Sequence, residues 1–327
     1  MSASTSPMAD VELSPDQKRR APRNRTVTLS AAERQRYRQR LLQLTEPIDL
    51  AAIANRIIHQ DASTALSHLP HRCVDLLVVD PPYNLDKAFN SLQFRRTDAG
   101  TYGSWLAAYF DKLQPLLKPT ASIYVCADWQ SSSAVFPVVE SRFQVRSRIT
   151  WEREKGRGAR RNWKNASEDL WFCTASNRYT FNLDAVKLKR RVIAPYTQNG
   201  VPKDWDKTRQ GNFRLTHPSN LWTDLTVPFW SMAENTDHPT QKPEKLLAKL
   251  ILASSNSGDL VLDPFLGSGT TAVVAKKLGR RYIGIEQDEL YCCLAEKRLA
   301  IADRDPTIQG FAEGVFWERN SGRLQGR

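Results

Sequence analysis

Asp80-Pro81-Pro82-Tyr83 follows an apolar run, Val74 to Val79, that only Asp75 interrupts. The run reads as a buried strand. A strand that ends in an acid and two prolines gives up ladder hydrogen bonds, because proline has no N–H and fixes its own backbone. A rigid carboxylate beside a proline-locked chain suits a task other than sheet pairing. A second stretch, Asp263-Pro264-Phe265-Leu266-Gly267-Ser268-Gly269-Thr270-Thr271, lies between an apolar triplet and a helical pattern. Its glycines permit a tight turn and a close approach of backbone N–H groups to a ligand, and the helix start favours a carboxylate or phosphate. Glu286 ends the next apolar run, 19 residues beyond Gly267. A doubly wound fold places an acid there to hold ribose hydroxyls. The loop lacks the third glycine of the dinucleotide fingerprint, so the expected ligand is an adenosine cofactor other than NAD or FAD.

The elements that must position these residues alternate between strand and helix. Ile53–His59, Val74–Val79, Ser122–Ala127, Arg146–Trp151 and Leu170–Thr174 read as strands, and Tyr102–Leu117 as an amphipathic helix. After residue 236 the alternation resumes with a helix at Pro243–Ser254 and a strand at Leu260–Leu262. A helix at Thr270–Leu278, a strand at Tyr282–Glu286 and a helix at Leu290–Ile301 follow. This order predicts an α/β fold with a doubly wound, mainly parallel sheet covered on both faces. Residues 184–236 break the rhythm with prolines, a KLKRR run and Trp205, Trp222 and Trp230, and read as an inserted recognition region whose tryptophans form its core. The expected division is a disordered basic tail (1–28), an N-terminal helix (29–49) opened by a capping box at Ser30 and Glu33, and a first half (50–183). The insert (184–236), a second half (237–302) and a C-terminal tail (303–327) complete it.

Length and composition set the outer limits. The 327 residues are enough for one large α/β domain with an insertion, and 41% hydrophobic with 25% charged residues is an ordinary globular balance. A net charge of +12 points to a polyanionic partner, since lysine and arginine bind phosphates without regard to sequence. Five cysteines, none in a C-x-x-C pair, argue against a disulfide framework or a zinc site, and no metal is expected. With no signal-peptide core and no membrane-length apolar run, the protein is expected to be soluble and cytoplasmic, associated with the nucleoid.

DPPY at 80–83, HPTQKPEKLL at 238–247 and DPFLGSGTT at 263–271, in this order, resemble the β-group of amino-directed DNA methyltransferases. The likeness runs from about Asn55 to Leu299 and is weakest across 184–236. Protein-glutamine and RNA amino-methyltransferases also resemble the D/N-P-P-Y stretch, but there the glycine loop comes first. The resemblance implies S-adenosyl-L-methionine as cofactor and the exocyclic amine of a flipped base as methyl acceptor. It implies that Asp80 and the Pro81 carbonyl, locked by Pro82, accept the two N–H groups of that amine, and that Tyr83 stacks on the base. On the cofactor side it implies Asp263, Phe265, Gly267, Ser268, Gly269 and Thr270 around methionine and Glu286 on the ribose. Asp61 is implied near the adenine amine, with Thr240, Gln241 and Lys242 at the methionine end, where Lys242 is the carboxylate partner. His238 is read as a loop organiser.

Double-stranded DNA is the expected partner. Arg157, Arg160 and Arg161, in a glycine-loosened basic loop spanning 153–164, and Lys187, Lys189, Arg190 and Arg191 are the candidate phosphate contacts, against a plain solvated surface. A homodimer and a cognate restriction enzyme stay open. Aspartate before Pro-Pro favours adenine-N6 in this family, where serine favours cytosine-N4, and cytosine-N4 is the alternative. A nicotinamide-dependent oxidoreductase and a non-catalytic DNA-binding protein are more distant alternatives.

Overall fold

A computed structural model of the chain describes residues 21–89, 92–153, 161–209 and 211–319. Its centre is an eight-stranded sheet in the order Arg56–His59, Arg281–Glu286, Leu260–Asp263, Val74–Val79, Leu117–Ala127, Ser167–Thr174, Gln144–Glu152, Leu221–Trp222. The first five strands run parallel, and Ser167–Thr174 is antiparallel to both its neighbours. The α/β, mainly parallel sheet expected from sequence is therefore present.

Alternating side chains of the central strands feed two cores. Leu76 and Val78 point to a layer shared with the helices Glu244–Ser254, Thr270–Lys277 and Glu289–Ala302. Val74, Leu77 and Val79 point to a layer shared with Ala99–Leu113 and Trp129–Glu140. Burial on both faces explains why these strands read as near-continuous apolar runs. Asp75, the exception, sits where the register with Leu117–Ala127 shifts. Its carboxylate accepts from Leu260 N at 2.9 Å and from Lys118 Nζ at 2.6 Å, so an edge of the pairing with the glycine-loop strand is made by a side chain.

Several expected elements differ. The capping box forms, with Ser30 N on Glu33 and Glu33 N on Ser30 Oγ, but the helix spans only Ala31–Arg38. Beyond it the chain leaves the helix because Leu42 exchanges backbone hydrogen bonds with Ile57 and His59 along the open edge of the sheet. Arg34 and Arg38 pair with Glu289, and Arg40 with Glu296, which seats the helix on Glu289–Ala302. The strand expected at Ile53–His59 starts only at Arg56, after a helical turn at Leu50–Ile53 and Asn55 at φ 64°. The helix expected at Tyr102–Leu117 spans Ala99–Leu113 and is followed by a 3-10 turn, so Leu117 already belongs to the next strand.

The region from 184 and the chain end build one unit. Leu188–Arg191, Asp206–Thr208 and Gly211–Thr216 form a small sheet that Phe311–Ala312 and Val315–Trp317 complete, so the stretch expected as a tail is a pair of strands up to Trp317. Of the three tryptophans expected in the core of the insert, only Trp222 is buried. Trp205 is half-buried and Trp230 is exposed. Buried Lys249 binds Asp224 at 2.6 Å with its ammonium 4.6 Å from the Trp222 ring, which ties the unit to Glu244–Ser254. Of the segment expected as disordered, residues 21–28 are described, and Val27 bridges Thr236; residues 1–20 lie outside the described residues.

Leu77 is fully buried and its strand is hydrogen-bonded on both sides. Leu77→Ala should lower stability by about 2–5 kcal/mol through lost transfer energy and a cavity. Urea unfolding checks this: the midpoint falls while the slope stays unchanged.

Candidate active site

Four neighbouring parallel strands deliver four acids to one edge of the sheet. His59 pairs with Glu286 across the first two strands, with Asp61 two residues on. Asp263 closes the third strand, and Asp80 follows Val79 of the fourth. In open α/β sheets ligands bind outside the carboxyl ends of the strands. The cavity here, about 330 Å³, is lined by both informative stretches at once: Asp80 to Tyr83 on one side, Asp263 to Ser268 on the other. Of the residues expected to touch substrate or cofactor, all but Gly269 line it.

Gly269 has a different reason to be glycine. At φ 87°, a Cβ there would sit 2.4 Å from the Ala295 Cβ, so the absence of a side chain lets the helix Thr270–Lys277 pack against Glu289–Ala302. Gly267, at φ 55°, faces the cavity, and a Cβ would come within 2.9 Å of His238 Nε2. His238 thus braces the glycine loop. Its Nδ1 accepts from Thr240 N, and its ring meets Tyr291 edge-on at 4.4 Å. Glu286 accepts from Gly267 N and from Asp288 N, both at 2.8 Å, and burial raises its pKa above the usual carboxylate range. Burial pushes Asp263 up to about 7, although Thr271 Oγ1 and Phe265 N both donate to it. Behind the loop, Arg298 donates to the Ser268 carbonyl and to Thr270 Oγ1 and pairs with Glu244. Gln241 is held from within, accepting from Thr236 and donating to the Glu234 carbonyl.

The Asp80 corner is a charged cluster. Lys242 Nζ lies 2.8 and 2.7 Å from the two Asp80 oxygens, 3.1 Å from Tyr83 Oη and 3.5 Å from Glu168 Oε2. Lys242, expected at the methionine carboxylate, holds protein carboxylates in this structure. Burial alone would lower its pKa, but Asp80 and Glu168 more than offset this and hold it above the ordinary lysine value. Tyr83 Oη also lies 3.1 Å from Asp80 and 3.2 Å from Glu168, and Arg153 pairs with the other Glu168 oxygen. The backbone of the corner is braced from both helices of the facing layer. Tyr102 Oη donates to the Pro82 carbonyl, and Asn84 N donates to Ser131 Oγ. Among the described residues, no donor reaches the Pro81 carbonyl.

Sequence reasoning missed the aromatic wall formed by Trp105, Tyr109 and Phe265, with Tyr109 and Phe265 5.2 Å apart. Trp105 and Tyr109 share a face of Ala99–Leu113 at i, i+4 spacing, a signal that any amphipathic helix also gives. Glu168 was missed too, since nothing in Ser167-Glu168-Asp169 marks which of the two buried acids faces Lys242.

Of the candidate phosphate contacts, Arg157 and Arg160 lie outside the described residues. Arg161 is exposed, as is Trp163 nearby. Lys187 pairs with Asp184 and Arg190 with Glu318, while Lys189 covers the Trp317 ring at 4.4 Å. Arg191 is exposed. This second cluster is thus woven into the small sheet, with its charges partly engaged.

A profile of the DNA methylase family matches residues 74–297. The chain is 34% identical over 264 residues to the DNA adenine methyltransferase YhdJ of Escherichia coli (strain K12), covering 79% of this chain and 86% of that protein. It is also 34% identical over 263 residues to the type II methyltransferase M.HpaI of Haemophilus parainfluenzae, covering 78% and 76%. Among solved structures, the PvuII DNA methyltransferase (cytosine-N4-specific) superposes with a TM-score of 0.55 at 19% identity, over 74% of this chain and 85% of that one. The M1.HpyAVI–SAM complex superposes with a TM-score of 0.51 at 24% identity, over 74% and 98%. At these identities the two structures establish the fold alone. With a matched stretch that takes in all three motifs and three of the four acids, Asp80, Asp263 and Glu286, the chain belongs to the N6/N4 DNA methylase family.

Proposed function

We propose that the protein transfers a methyl group from S-adenosyl-L-methionine to the N6 amine of an adenine turned out of duplex DNA. One observation carries this: Asp80 and Pro81 line the same cavity as the glycine loop and Glu286. The lining fits the cofactor. Aromatic faces at Trp105, Tyr109 and Phe265 suit a purine, and the Glu286 and Asp61 carboxylates suit ribose hydroxyls and a purine amine. Gly267 leaves room for a chain to pass, and Asp263, Ser268, Thr270, Thr240, Gln241 and Lys242 surround the methionine end. When bound, the cofactor supplies a methyl carbon on a sulfonium sulfur, already a reactive electrophile.

The protein's part is to make the amine a nucleophile and hold it in line. An aromatic amine shares its lone pair with the ring. Two rigid acceptors, Asp80 and the Pro81 carbonyl, draw on both N–H groups, favour a pyramidal nitrogen and stabilise the positive charge that grows on it. Asp80 would accept the proton that the nitrogen gives up once it carries the methyl group. Tyr83 offers a ring beside the base, and alignment supplies much of the remaining acceleration. Adenine is favoured by aspartate before the two prolines, and a relative at 34% identity bears the name DNA adenine methyltransferase. A nicotinamide oxidoreductase would leave the Asp80 corner without a task. Arg161 and Arg191, both exposed, are assigned to DNA phosphates, in keeping with the charge of +12.

Two outcomes check these roles. Asp80→Ala should cut single-turnover transfer from labelled cofactor to duplex DNA by at least about 100-fold while cofactor affinity changes little; retained transfer would remove Asp80 from the chemistry. Asp263 has a folded-state pKa raised to about 7 by burial, so the folded state binds more protons than the unfolded state between that value and the ordinary aspartate value near 4. Its share of stability is therefore present at low pH and lost as pH rises through 7. In Asp263→Asn, unfolding free energy measured by denaturant against pH should decline less steeply across that window; an identical profile would refute the assignment.

A further inference from the structure

Both oxygens of Asp80 are covered by the Lys242 ammonium, at 2.8 and 2.7 Å. A carboxylate neutralised in this way offers little to a nitrogen acquiring positive charge, and an ammonium beside that nitrogen opposes the charge directly. The resting arrangement is therefore suited to holding Asp80 in reserve and unsuited to catalysis. A second carboxylate stands ready. Glu168 Oε2 is 3.5 Å from Lys242 Nζ, and Glu168 is only 3% exposed. A shift to an ordinary hydrogen-bond length of about 2.9 Å would seat the ammonium on Glu168. The lysine stem is buried, and Arg153 and Tyr83 Oη fix the Glu168 carboxylate from its other sides. Within the cluster two carboxylates face two cations, so moving Lys242 from one carboxylate to the other changes no net charge. It changes only which acid is free.

We propose that Glu168 is a positioning residue for methyl transfer: it receives the Lys242 ammonium when the target amine enters, and so releases Asp80 to accept the amine's hydrogens. This rests on the role proposed above for Asp80.

The test uses the full chain, with single-turnover transfer measured at cofactor and duplex concentrations saturating for each variant. E168Q, nearly isosteric, should slow transfer roughly 100-fold while cofactor affinity and melting temperature stay near wild type, because Lys242 then has no second carboxylate to move to. Adding K242M to E168Q should raise the rate above that of E168Q alone, since no cation covers Asp80; a purely structural Glu168 would make the double variant no faster. Wild-type rate in E168Q, or a double variant no faster than E168Q, overturns the proposal. If E168Q folds poorly, the wild-type protein answers instead. Its Lys242 ammonium resonance, assigned by its loss in K242R, should shift when S-adenosylhomocysteine and duplex DNA are added together, and an unmoved resonance overturns the handover. Wild-type protein that transfers nothing to DNA would instead remove the function proposed above, whereas normal wild-type transfer with an unaffected E168Q removes only the role of Glu168.

Discussion

Parallel hydrogen bonding between Val74–Val79 and Leu260–Asp263 makes one site out of two distant stretches of sequence. Val261 pairs with Leu76 and Leu262 with Leu77, so the chain leaves both strands at the same edge, toward the same space. The acid and prolines after the first strand and the glycine loop after the second then share a cavity by necessity. A slip of one residue would turn every core side chain of either strand to the wrong face. Burial on both sides of the sheet therefore fixes the register, and the register fixes the chemistry.

Charge is managed differently in the two halves of the site. On the cofactor side the acids stand at strand ends and are satisfied by backbone N–H groups and threonine, with burial raising Asp263 and Glu286 above the usual carboxylate range. At the Asp80 corner the acids meet cations instead, through Lys242 and Arg153. Buried ion pairs of this kind contribute little net stability, since desolvation offsets much of the attraction. Their presence is better explained by what they allow than by what they hold together. A carboxylate covered by an ammonium is open to a substrate only when another group holds that ammonium.

Three acids of the cavity were legible in the sequence because each closes an apolar run, a pattern that one chain shows without help. Asp80, Asp263 and Glu286 owe their positions to local order, so local reading found them. Glu168 did not yield to the same reading: it lies inside a strand beside Asp169, and its importance comes from Lys242, which only the fold brings near. The helix Trp129–Glu140 was missed because Pro137 and three serines blur its periodicity, although Asp128 caps Ser131 as a helix start should. The closing strands, Phe311–Ala312 and Val315–Trp317, are two and three residues long and have no periodicity to read. They exist because Leu188–Arg191 offers an edge to pair with. The basic run at 187–191 read as a free phosphate-binding cluster, but the sheet that contains it engages Lys187 and Arg190 with acids and lays Lys189 over Trp317.

The central claim is that a carboxylate and a proline-locked carbonyl act on an exocyclic amine. Duplex DNA incubated with the purified protein and isotope-labelled S-adenosylmethionine, then digested to nucleosides and resolved by mass spectrometry, tests it most directly. The account predicts label in N6-methyldeoxyadenosine. Label on a ring carbon, as in 5-methyldeoxycytidine, or in no nucleoside at all, would contradict it.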